Sequence, residues 1–134
     1  MLVDDDNDTV YTFHLYLKSL GYSTNSFVNP VEALNYFKKN FTKCALVITD
    51  YAMPQMSGLD LIEKIREKDL DCKIKTIVIS ATVKNDIINY NNRFSELKVD
   101  KFLEKPIPLD KIRNEIEMLI EWMIITIIAT FSIS

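Results

Sequence analysis

Ile48-Thr49-Asp50-Tyr51-Ala52-Met53-Pro54-Gln55-Met56-Ser57-Gly58-Leu59-Asp60-Leu61 carries the information from which the architecture follows. The apolar segment leading into it, Ala45 to Thr49, reads as a buried strand, and Leu59 to Lys68 reads as a helix with Leu59, Ile62 and Ile65 inward. In open α/β sheets the carboxyl ends of the strands border the binding crevice. The Asp50 carboxylate therefore belongs on that rim, and Gly58 closes the loop behind it and admits the next helix.

On either side of this stretch the chain alternates strand and helix. Met1 to Asp4 is a very short first strand, followed by a helix from Thr9 to Leu20 with Val10, Phe13, Leu17 and Leu20 at helical spacing. Gly21 ends that helix with a positive φ. Ser23 to Val28 reads as the second strand. Asn29 caps the next helix, Pro30 opens it, and Val31, Leu34 and Phe37 line its buried face. Thr76 to Ser80 is the fourth strand, as apolar as a central parallel strand should be. From Val83 to about Phe94 a fourth helix is predicted to be short or irregular, because Asn85, Asn89, Asn91 and Asn92 interrupt it. Lys101 to Glu104 is the fifth strand, and Leu109 to Trp122 the final helix, with Ile112, Ile116, Leu119 and Ile120 apolar. Alternating elements with right-handed crossovers predict an α/β fold, a doubly wound five-stranded parallel sheet with helices on both faces.

Composition excludes several function classes. The 134 residues suffice for one domain with a full hydrophobic core. At a net charge of -3 with scattered Lys and Arg there is no basic stripe, so direct nucleic-acid binding is not expected. The two glycines, Gly21 and Gly58, stand far apart, which rules out a phosphate-cradling glycine loop. Cys44 and Cys72 form no CxxC pair and no cluster with His14, as expected of reduced thiols in a cytoplasmic protein. His14 reads as structural or surface-exposed. The acidic amino terminus is no signal peptide.

The remaining signals stand at strand ends. Asp4, Asp5 and Asp6 follow the first apolar residues, Asp50 the third strand, Ser80 the fourth and Lys105 the fifth. Singly, each has a bland explanation: consecutive aspartates are usually a solvated loop or a helix cap. Together, in this order, they resemble the receiver domain of two-component response regulators of the chemotaxis-regulator type. The resemblance runs from Leu2 to about Trp122 and implies a flavodoxin-like strand order of 2-1-3-4-5.

That resemblance implies a phosphoacceptor role for Asp50. A carboxylate is a weak nucleophile toward an anionic phosphoryl group, so a divalent cation, Mg²⁺ or Mn²⁺, is needed, and crowded acids at one rim suit such a hard ion. By the same resemblance Asp5, Asp50 and the backbone carbonyl of Ala52 bind the metal directly and Asp4 through water. Lys105, after which the bond to Pro106 is cis, supplies charge to one phosphoryl oxygen, and the Ser80 hydroxyl donates to another. Phe102 is the switch aromatic that moves in concert with Ser80. Ala52 and Thr82 flank the path of hydrolytic water, and Ala52 cannot activate water, so self-dephosphorylation should be slow. The donor is a sensor histidine kinase or a histidine phosphotransfer protein, the recipient of the signal a downstream protein, and the location cytoplasmic. The domain is a signalling module, not an enzyme that turns over a substrate.

Departures from the family pattern fall outside this set. The first strand begins at Met1, the interval from Ser80 to Lys105 is long, and Leu97-Lys98-Val99-Asp100 replaces a Gly-Ala pair. A particular output mode at the fourth helix and fifth strand therefore does not carry over. Two other classes compete. A haloacid-dehalogenase-type phosphatase shares the Asp, hydroxyl, Lys and Mg²⁺ set but places a second acid where Ala52 stands. A pseudo-receiver that signals without phosphorylation usually lacks a member of the set, and none is missing here.

The sequence divides into a receiver, residues 1–122, and an apolar tail, residues 123–134, uncharged and rich in β-branched residues. A dozen helical residues span about 20 Å against the roughly 30 Å hydrocarbon core of a bilayer, so a membrane span is the weaker reading. A β-prone apolar segment should be covered, either beside the fifth strand or by a second copy of the chain. Self-association through the last helix and tail is the expectation, with truncation of a longer chain as the bland alternative.

Overall fold

A computed structural model describes residues 1–82 and 92–133. Five strands alternate with helices: β1 (Leu2–Val3), α1 (Asn7–Ser19), β2 (Ser26–Phe27), α2 (Pro30–Asn40), β3 (Leu46–Asp50), α3 (Gly58–Arg66), β4 (Lys75–Ser80), β5 (Lys101–Glu104) and α4 (Leu109–Ile133). A 3₁₀ turn, Phe41–Lys43, follows α2, and residues 92–96 are helical. Every pairing is parallel, as the alternation implied, and the sheet order is β2-β1-β3-β4-β5, as the resemblance implied. Most of the expected fourth helix lies outside the described residues.

Period-two alternation along the strands sorts the core into two main layers. Leu2, Ile48, Ile77, Ile79 and Leu103 point to one face, where Val10 and Leu17 of α1 and Ile112, Ile116 and Leu119 of α4 cover them. Val3 and Val47 point to the other, against Ala33, Leu34 and Phe37 of α2 and Leu61 and Ile65 of α3. A third cluster joins Leu59, Ile62 and Val78 to Phe94. Each fully buried aliphatic side chain contributes roughly 1.5–3 kcal/mol, so these layers hold the sheet and fix the register of its rim.

Local chemistry sets the helix starts. Asn29 accepts from the Val31 and Glu32 backbone N–H groups at 2.8 and 3.3 Å, with Pro30 as first residue of α2. Ser57 and Asp60 form a reciprocal capping box at the start of α3, both bonds 3.1 Å long. Gly21 has φ 92, in the left-handed region.

The structure differs from the sequence expectations in several places. β2 is shorter than Ser23 to Val28, and its Ser26 hydroxyl lies 2.6 Å from His14 Nδ1, which gives that half-buried histidine a structural partner. Val31 is exposed, and Ala33 takes its place on the inner face of α2. α4 does not stop near Trp122 but runs unbroken to Ile133, so the boundary expected at 122/123 is no break in structure, and the tail does not lie beside β5. Extending a formed helix costs little even for β-branched residues, a few tenths of a kcal/mol each, whereas a strand there would need a partner edge. The Thr126 and Thr130 hydroxyls donate back to the carbonyls of Trp122 and Thr126, each at 2.9 Å. No helix among the described residues is long and apolar enough to cross a membrane.

Candidate functional site

Parallel strands deliver their carboxyl ends to one rim, and this brings four sequence-singled side chains together. Asp50 ends β3 and Ser80 ends β4, while Asp4 and Lys105 immediately follow β1 and β5. Asp4, Asp50 and Ser80 are buried, at 2%, 7% and 3% exposure, and Asp5 is exposed beside them. One carboxylate oxygen from each of Asp4, Asp5 and Asp50 lies within 4.8 Å of the others. Three hard oxygen donors at that spacing fit a divalent cation of the Mg²⁺ kind.

The ammonium of Lys105 bridges the two buried acids, 3.1 Å from Asp4 Oδ2 and 3.2 Å from Asp50 Oδ1. Burial first, and the neighbouring Asp4 charge second, push the Asp50 pKa up to about 6, with Lys105 pulling against them. Burial works against the charge on Lys105, but Asp4 and Asp50 outweigh it and raise its pKa. The main chain holds this lysine in place, its N–H donating to the Ser80 carbonyl at 2.8 Å. The Lys105-Pro106 peptide is cis.

The three consecutive aspartates divide their roles. Both Asp4 oxygens are engaged within the protein, Oδ1 by the Asp6 N–H at 2.9 Å and Oδ2 by Lys105. Asp6 is the helix cap that the bland reading offered, accepting from the Thr9 hydroxyl at 2.9 Å and the Asp8 N–H at 3.0 Å, which in that order hold its pKa below the ordinary carboxylate value. Asp5, between them, faces solvent at the rim.

Behind Asp50 the loop is fastened at both ends: the Tyr51 N–H donates to the Ile79 carbonyl and the Gly58 N–H to the Tyr51 carbonyl, each at 2.8 Å. Glycine at 58 is a matter of space, since a Cβ there would collide with the Asp50 carbonyl oxygen and press on Thr49 Cγ2 at 3.1 Å. The Ser80 Oγ accepts from the Thr82 N–H at 3.1 Å. Ala52 and Thr82 are both exposed. Phe102 is half-buried, its ring edge-on to Phe94 with centroids 4.1 Å apart, and Phe94 lies 6.5 Å from Tyr51.

Several supporting residues were not read from the sequence. Arg66 is buried, pairs with Asp69 at 2.7 Å, and donates to the carbonyls of Ile74, Leu97 and Lys98 at 2.7, 2.9 and 3.1 Å. It thereby ties α3 to the turn before β5, where Lys98 has φ 51, in the left-handed region. Arg93 reaches Asp60 at 2.6 Å and Glu63 at 3.0 Å. Asp100 accepts from the Thr76 N–H at 2.8 Å. Apart from the Arg66–Asp69 pair, three positions apart, and the Ile74 carbonyl, these partners lie far apart in sequence, and no local spacing signals them.

Fold and rim together define a receiver module, and the chain belongs to the response regulator receiver domain family, whose pattern matches residues 1–117. It is 33% identical over 121 residues to the response regulator receiver protein CpdR of Brucella abortus, covering 90% of this chain and 94% of that protein. The crystal structure of a response regulator receiver domain protein from Clostridium thermocellum superposes with a TM-score of 0.78 at 20% identity, covering 93% of this chain and 95% of the other. A receiver protein from Pseudomonas putida is 30% identical with a TM-score of 0.71, covering 87% of this chain and 93% of that one. Larger relatives match through one segment: the chain spans 15% of the 3',5'-cyclic-nucleotide phosphodiesterase regA of Dictyostelium discoideum, at 27% identity over 90% of this chain. It spans 10% of the sensor histidine kinase RcsC of Escherichia coli, at 31% identity over 78% of this chain.

Proposed function

We propose that Asp50 accepts a phosphoryl group from a phosphohistidine, on a sensor histidine kinase or a histidine phosphotransfer protein, and that the modified domain then presents an altered surface to a downstream protein. The observation that carries this reading is the Lys105 ammonium, 3.2 Å from Asp50 Oδ1 at a rim shared with the Ser80 hydroxyl and two further aspartates. An Asp50 oxygen forms the new bond to phosphorus, the P–N bond of the donor breaks, and its electron pair stays on the imidazole nitrogen. Lys105 balances charge on one phosphoryl oxygen, and the Ser80 hydroxyl donates to another.

A divalent cation, Mg²⁺ or Mn²⁺, would be held by Asp5, Asp50 and the Ala52 carbonyl directly and by Asp4 through water. When bound it neutralises phosphoryl charge and aligns donor with acceptor. The structure favours that division, because the oxygens of Asp4 are taken by Asp6 and Lys105 while Asp5 is exposed. Movement of Ser80 toward the phosphoryl group is coupled to Phe102, which rests on Phe94. Self-dephosphorylation is slow, since Ala52 has no group to activate water. A cytoplasmic setting suits the free thiols of Cys44 and Cys72.

Phosphoramidate, a P–N donor like phosphohistidine, provides the test. With Mg²⁺ the chain is expected to gain one phosphoryl group that hydroxylamine removes, as it does from an acyl phosphate. A hydroxylamine-resistant adduct, or continuous release of phosphate from an ester substrate, contradicts the proposal.

A further inference from the structure

The end of the sheet opposite the acidic rim carries two unsatisfied apolar features side by side. One is the projecting end of α4, where Trp122, Ile124, Ile125 and Ile127 are 64%, 52%, 57% and 53% exposed. At 100° per residue these positions spread around the helix, and a helix apolar on all sides is one that something covers. The other is a cleft of about 500 Å³ at the amino ends of the strands, lined by the half-buried Tyr22, Leu46, Ile120 and Met123 together with the buried Phe37 and Ile116 of the core. Met123 belongs to both: it lines the cleft, and it lies between the exposed Trp122 and Ile124 on α4.

The helix cannot fill the cleft of its own molecule. α4 is unbroken from Leu109 to Ile133, so residues beyond Met123 continue away from the cleft, and turning them back would break the backbone hydrogen bonds of the helix. A helix lying flat on a membrane needs a polar face with Lys or Arg, and residues from Trp122 onward carry no charge. A second copy supplies the missing partner for both features at once. Each chain carries plug and socket at one end, which is the requirement of a closed two-fold interface.

We propose that this end of the domain is a self-association surface, with the projecting end of α4 from one copy seated in the cleft of the other and the exchange reciprocated. Complete burial of the exposed α4 side chains and of the half-buried cleft residues in two copies would remove at most on the order of 1,300 Å² of total surface, the lower end of the range of specific dimers. The pairing leaves Asp4, Asp50, Ser80 and Lys105 at the opposite edge of the sheet, open to a phosphodonor.

Sedimentation equilibrium on the full chain at micromolar concentration is expected to give twice the chain mass, and Ile124→Lys/Ile127→Lys to give the chain mass with an unchanged far-ultraviolet spectrum. A full chain that stays monomeric overturns the proposal, as does a lysine variant that still dimerises or a full chain recovered only on phosphatidylcholine–phosphatidylglycerol vesicles. Cysteine pairing tests the insertion itself, because Cys44 also lines the cleft. In a Cys72→Ser background, copper-phenanthroline oxidation of Ile124→Cys or Ile127→Cys variants is expected to join that cysteine to Cys44 of the other copy. Links only between the introduced cysteines place the tails side by side and overturn insertion.

Discussion

Lys105 Nζ lies 3.2 Å from Asp50 Oδ1, an ion pair between residues 55 positions apart that closes the acidic rim from the β5 side. The same ammonium lies 3.1 Å from Asp4, so one cation faces two buried carboxylates and leaves a net negative site. That imbalance, together with burial, makes the rim sensitive to pH and receptive to a metal.

Stability in chelator should depend on the Asp50 charge. Its folded pKa, about 6, stands above the ordinary 3.8, so the fold favours the protonated form. The stabilising contribution of this group is fully present below pH 3.8 and is lost as pH rises through about 6. Asp50→Asn is therefore expected to be more stable than the parent at pH 7.5 by about 2 kcal/mol, and the gain should vanish toward pH 4. Urea unfolding at both pH values checks the sign; an equal gain at both ends contradicts it.

Metal affinity should distinguish the neighbouring acids. Asp5→Ala is expected to abolish Mg²⁺ binding measured by titration of backbone amide shifts, and Asp4→Ala to weaken it about tenfold, the usual effect of an indirect ligand. The reverse order contradicts the assignment of Asp5 as direct ligand.

The lifetime of the phosphoryl group should respond to Ala52. Introducing a side chain able to position water, Ala52→Asn, is expected to shorten that lifetime several-fold. Decay of the adduct followed by phosphate release settles the direction, and a lengthened lifetime removes Ala52 from the water path.

Arg66 should be a stability residue with no part in the chemistry. Removing one partner of a buried ion pair typically costs about 3–5 kcal/mol, so Arg66→Ala is expected to lose that much in urea unfolding, leaving Asp69 uncompensated. A loss comparable to a surface substitution would show that water replaces the guanidinium without cost.

The legible part of this molecule is the part governed by local periodicity and by chain order. Asp4, Asp50, Ser80 and Lys105 each terminate an apolar run, and parallel pairing alone then gathers them at one rim. For the tail, β-branched composition left a strand beside β5 open as one of two coverings, whereas an already nucleated helix propagates at small cost through Thr126 and Thr130. Arg66 was invisible because it sits among Lys64, Glu67 and Lys68 like one more solvated charge, and its carbonyl partners at Leu97 and Lys98 meet it only after folding. The clamp of Arg93 on Asp60 and Glu63 is equally a product of tertiary structure.

Intact-protein mass spectrometry after acetyl phosphate treatment tests the central claim most directly. One phosphoryl adduct is expected with Mg²⁺, located on Asp50 by borohydride reduction and peptide mapping, and lost in Asp50→Asn or in excess chelator. An adduct that persists in Asp50→Asn, or that forms as readily without divalent metal, contradicts phosphoacceptance at this rim.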